Sequence, residues 1–193
     1  MSTTATQTSI VAQDQALVLA HAASHDRCGL DRGAVARRQA VADGPGDLSE
    51  RWLLTGGRVA LAEESGRHLE AEECVRLEAA LRTTFVHRLT VISNDPLVDE
   101  DMVYDLSASA EDLAAFSWEF SGINALLLPH SGTELAVLFS TDDYHLVAGT
   151  RQFVTDYAGD LKAARGAFVD FVESLRRDAT AAAQGDWLHV LDR

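Results

Sequence analysis

No lysine or arginine occurs between residues 89 and 150, yet that stretch holds eleven of the chain's thirty acidic residues. Elsewhere nineteen acids stand against sixteen bases, and the net charge is −14. Nucleic acid backbones and anionic bilayers need clustered cations, so this charge argues against both as partners. The pairs Arg37-Arg38 and Arg176-Arg177 are too isolated to track phosphates. The same charge suits a basic protein, a cationic ligand or a metal ion, and it also serves plain solubility.

Cysteine is nearly missing, with only Cys28 and Cys74 in 193 residues. Two distant thiols make no disulfide framework, which leads us to expect a reduced, cytoplasmic protein. The first nine residues carry no basic charge, so no secretory leader is expected. The longest early apolar run, residues 16–20, is too short to span a bilayer. Lysine occurs once, as Lys162, against fifteen arginines, with abundant Ala, Asp and Val. That bias is associated with GC-rich bacterial genomes. At 193 residues and 47% hydrophobic content, one globular domain with a real core is expected.

The chain order predicts an α+β fold. Residues 1–9 read as a tail, and 10–43 as a helical arm with helices over 10–25 and 32–42. Asp43-Gly44-Pro45-Gly46 is the clearest breaker and marks the expected boundary with a single domain over 47–193. Residues 48–64 read as helix interrupted by Gly56-Gly57. Over 69–86, Cys74, Leu77, Leu81 and Phe85 fall on one helical stripe. A small, mainly antiparallel sheet of about four to five strands follows, at 89–93, 102–106, 123–128, 135–139 and 144–148. An inserted helix over 110–120 is capped by Ser109. A short helix over 151–157 precedes an amphipathic one over 161–177, capped by Asp160 and packing on the sheet. Residues 186–191 read as a last strand or turn. Such a sheet is expected to leave a face or an edge open.

No catalytic signature is present. There is no G-x-S-x-G elbow, phosphate loop or dinucleotide fingerprint, although many active sites have no contiguous motif. Three constellations remain. His21, His25 and Cys28 share one face of a helix, at a spacing that suits zinc or another divalent metal. Asp31, His68 or Cys74 would supply a fourth ligand; surface histidines and a core thiol are the plainer reading. Asp142-Asp143-Tyr144-His145 offers carboxylates and an imidazole for acid–base work. In a strand, however, Tyr144 and His145 point to opposite faces, and Asp is an ordinary turn residue. Finally, Asp95, Asp99, Glu100 and Asp101 form an acidic loop without the spacing of a calcium-binding EF-hand.

With Tyr104, Trp118, Asp142, Asp143 and Tyr144, that loop is the expected docking surface for a basic partner. The function expected is therefore an acidic cytoplasmic binding or regulatory module of inhibitor or immunity type, needing no cofactor. The alternative is a small enzyme or sensor, with or without metal, working through His21, His25 and Cys28 or through the 142–145 turn. The N-terminal helices can pair in a dimer or close over the sheet.

Overall fold

Antiparallel pairing organises the chain into an α+β architecture. The computed structural model describes residues 27–28, 32–65, 68–94, 103–142 and 144–177. The strands are β1 (Arg27–Cys28), β2 (Ala42–Gly44), β3 (Asp47–Leu48), β4 (Val59–Glu64), β5 (Arg88–Ser93), β6 (Val103–Ser107), β7 (Ala125–Pro129), β8 (Ala136–Phe139) and β9 (Tyr144–Gly149). The helices are α1 (Arg32–Val41), α2 (Glu50–Thr55), α3 (Ala71–Thr83), α4 (Ala110–Glu119), α5 (Arg151–Ala158) and α6 (Leu161–Arg177). Among the described residues, the main sheet has seven strands, ordered β1-β6-β5-β7-β8-β9-β4, and β2 pairs with β3 in a separate hairpin. The expected helices over 10–25, residues 1–9, and residues 179–191 lie outside the described residues.

Helices cover both sheet faces. Leu89, Val91, Ala125, Leu127, Val137 and Val147 pack with Leu77, Leu81, Leu113, Phe116 and Phe153 of α3, α4 and α5. Ile92, Leu126, Leu128, Leu138, Leu146 and Ala148 pack with Ala34, Trp52, Phe168 and Val172 of α1, α2 and α6. This explains why 125–129 is apolar without alternation, since every residue of β7 is buried. The expectation is of an open face or an open edge, and both faces are covered, as the apolar runs of β7 and β8 suggest. α1 joins the sheet directly: Arg37 Nη2 donates to Thr90 Oγ1 (3.3 Å), and Arg38 Nη1 donates to the Ser93 carbonyl (3.1 Å).

Several local signals act as expected. Ser109 Oγ accepts from the Asp112 N–H at the start of α4, and Asp160 Oδ1 accepts from the N–H groups of Lys162 and Ala163. Three expectations change. Residues 43–46 form the tip of the β2–β3 hairpin, with Ala42 paired to Leu48. Residues 59–64 are not helix but the strand β4, whose Ala- and Glu-rich sequence is held extended by pairing along its length with β9. The stripe on α3 ends before Phe85, because the helix stops at Thr83 and Phe85 is exposed. With β4 and the short β1 added, the sheet exceeds the expected four to five strands.

Candidate functional site

The register of the sheet builds a buried group of ionisable side chains. Glu63 on β4 lies opposite His145 on β9. Both side chains point to the face covered by α3 and α5, where Glu73 and Arg76 come from α3 and Tyr157 from α5. Arg76 Nη2 donates to Glu63 Oε2 (2.9 Å) and Arg76 Nη1 to Glu63 Oε1 (3.4 Å). The Tyr157 hydroxyl donates to Glu63 Oε2 (3.1 Å), and its oxygen lies 2.7 Å from His145 Nε2. The Arg76 guanidinium stands 4.7 Å over the Tyr157 ring centroid.

Proton counting orders this network. The single phenol proton goes to Glu63, so Nε2–H of His145 donates to the Tyr157 oxygen. His145 Nδ1 is then a bare acceptor, buried and without a hydrogen-bond partner among the described residues. Burial holds His145 neutral and lowers it to about 4, outweighing the attraction of Glu63. Burial likewise raises Glu73 above the usual carboxylate range, with Glu63 and Glu70 adding to the effect; the Glu70 N–H and Arg76 oppose it. One oxygen of Glu73 accepts the Glu70 N–H (2.7 Å), the return half of a capping box on α3. Cys74 beside it is a core residue whose thiol burial pushes up to about 11.

A second feature lies on the opposite face. A cavity of ≈ 280 Å³ opens between the β2–β3 hairpin, α2, β4 and β9. Leu48, Leu53, Val59, Ala60 and Leu146 make its apolar wall, and Asp43, Asp47 and Glu50 supply carboxylates. Its cation, Arg58, is committed elsewhere. Arg58 Nη1 donates to the Trp52 carbonyl (2.7 Å), Nε donates to the Glu134 carbonyl (3.3 Å), and the guanidinium lies 4.4 Å from the Trp52 ring centroid. The hairpin is pinned to one end of the sheet. Asn94 Nδ2 donates to the Gly44 and Pro45 carbonyls (2.7 and 2.9 Å), and the Tyr144 hydroxyl donates to the Gly46 carbonyl (3.2 Å).

Of the residues singled out in the sequence, only some are among the described residues. Asp95, Asp99, Glu100, Asp101 and Asp143 lie outside the described residues, as do His21, His25 and Asp31; of Cys28 only the backbone is described. Asn94 and Val103, which bracket the acidic loop, stand at the same sheet end as Asp142. Asp142 is exposed in the β8–β9 turn, whereas His145 turns into the buried network, so these two form no common site. Tyr144 is buried and packs edge-on to Phe168, and Tyr104 is half-buried against Phe120. Trp118 is 55% exposed and stacks on His68 at 3.8 Å. Sequence reading missed Glu63, Glu73, Arg76 and Tyr157, and it also missed Asp43, Asp47 and Glu50. The aspartates flanking the Gly44-Pro45-Gly46 turn were a usable signal for the cavity; nothing local marks the buried network.

Fold and geometry together define an α+β protein with an antiparallel sheet between two helical layers, an acid-rimmed cavity and a buried ionisable network. No family model matches the chain, and no curated protein or solved structure matches it. Among the described residues, no helix is long and apolar enough to cross a membrane.

Proposed function

We propose that the protein is an acidic binding module that docks a basic segment of a protein partner into the hairpin cavity. The observation that carries this reading is the pairing of an apolar wall with the Asp43 and Asp47 carboxylates, beside an arginine already engaged by two carbonyls and a ring. A lysine or arginine side chain has the matching form, an apolar stem with a charged head. The net charge of −14 adds long-range attraction. Asp142 and the attachments of the 95–102 loop stand at the sheet end to which the hairpin is pinned, which favours a partner approaching from that end.

The test uses a fluorescent peptide of alternating lysine and leucine. It should bind the protein less tightly as salt rises, and the combined change Asp43→Asn, Asp47→Asn, Glu50→Gln should slow association on the order of tenfold. Changing Asp99, Glu100 and Asp101 to the matching amides should slow it further. Binding that ignores both salt and the cavity substitutions would sink the proposal.

A further inference from the structure

We infer that Glu63, Glu73 and His145 form a binding site for one divalent cation of the zinc or manganese kind. One ligand atom from each residue, a carboxylate oxygen from each glutamate and a ring nitrogen from His145, lies within 4.8 Å of the other two. Such a triangle can close around an ion with bonds near 2 Å after modest side-chain adjustment. Two carboxylates and an imidazole are the donor set that such cations accept.

Two further observations point to a ligand. His145 is 1% exposed, and in the network's proton arrangement it keeps one nitrogen lone pair without any donor. A buried acceptor of this kind costs stability until something satisfies it. The charges are also uneven: Glu63 and Glu73 face each other, and Arg76 compensates one of them. A divalent cation would balance the charge of the second carboxylate. Arg76 need not block the ion, because its side chain is 39% exposed and can turn to solvent, while Glu63, at 13%, stays inside. The Tyr157 hydroxyl, already bonded to both Glu63 and His145, is placed to hold these ligands in orientation.

This site shares no residue with the hairpin cavity or with the His21, His25 and Cys28 set. To test it, chelator-treated full-length protein is titrated by calorimetry with Zn²⁺ and, separately, with Mn²⁺. A single equivalent of at least one ion should bind with a Kd of about 10 µM or tighter. Glu73→Gln, which keeps an oxygen for the Glu70 N–H, should weaken binding by about tenfold or more. His145→Gln should do the same; if circular dichroism shows that variant unfolded, Glu73→Gln alone decides. Absence of uptake by the unaltered protein overturns the inference. So does uptake that survives Glu73→Gln, or uptake abolished by His21→Ala with His25→Ala, which would put the ion on the N-terminal segment.

Discussion

Phe85 is held at φ 58° with 84% of its surface exposed. Its N–H donates to the Arg82 carbonyl (3.1 Å), and the next N–H, of Val86, reaches back to the Leu81 carbonyl (3.0 Å). This closes α3 with a left-handed residue at a position where glycine is usual. A side chain there costs roughly 1–2 kcal/mol, and glycine's extra chain entropy takes back part of the difference. Phe85→Gly should therefore raise stability by about 0.5–1 kcal/mol, seen as a higher urea midpoint. A lower midpoint would show that the exposed ring makes a stabilising contact. His145 predicts a pH effect of definite sign. Folded, it titrates at about 4, against a usual value near 6.5. Its contribution is complete above about 6.5 and is lost as pH falls toward 4, on the order of 3 kcal/mol in chelator-treated protein. Unfolding profiles of the protein and of His145→Asn should converge across that window. Parallel profiles would mean that the ring is not buried in its neutral form.

At the scale of elements, β4 and α6 belong together. Among the described residues, β4 stands at one side of the sheet and pairs with β9 alone. α6 packs against it, with Leu161 and Ala164 meeting one core and Phe168 and Val172 the other. The helix thus passes beside the strand's outer edge, one of the ways proteins protect such an edge from pairing with another chain. Phe168→Ala should cost about 3–5 kcal/mol by urea unfolding and loosen that cover. Light scattering should then show concentration-dependent self-association; a variant that associates no more than the unaltered protein would mean that the edge is guarded by something else. The ends of α4 and α6 were legible in the sequence because Ser109 and Asp160 act on N–H groups two or three residues away. β4 was not, because Val59-Ala60-Leu61-Ala62-Glu63-Glu64 suits a helix by propensity and is extended only by its partner. Phe85 misled for a related reason: its spacing continued the stripe, and the closing hydrogen bonds decided otherwise.

Across the whole molecule, the α+β class and the central antiparallel strands could be read from short apolar runs and the turns between them. The apolar runs at 123–128 and 135–139 already had the form of strands buried on both faces, but they could not name the helices that form the two layers. The candidate sites divide the same way. The acidic bias was plain in composition, whereas the hairpin cavity needs β2–β3 folded back against β4 and β9. The buried network is further from reach: Glu63 and His145 become neighbours only through the β4–β9 register, and Glu73 arrives on the helix that follows β4 and Tyr157 on the helix that follows β9. The β4–β9 pairing has a consequence for biosynthesis as well. β5 through β9 can zip up from near neighbours as the chain emerges, but β4 is made long before its partner. Until residues 144–149 leave the ribosome, Val59 to Glu64 lacks β9, its partner among the described residues. The nascent N-terminal half must wait in an unfinished state, and the long run of local hairpins that follows sets how long it waits.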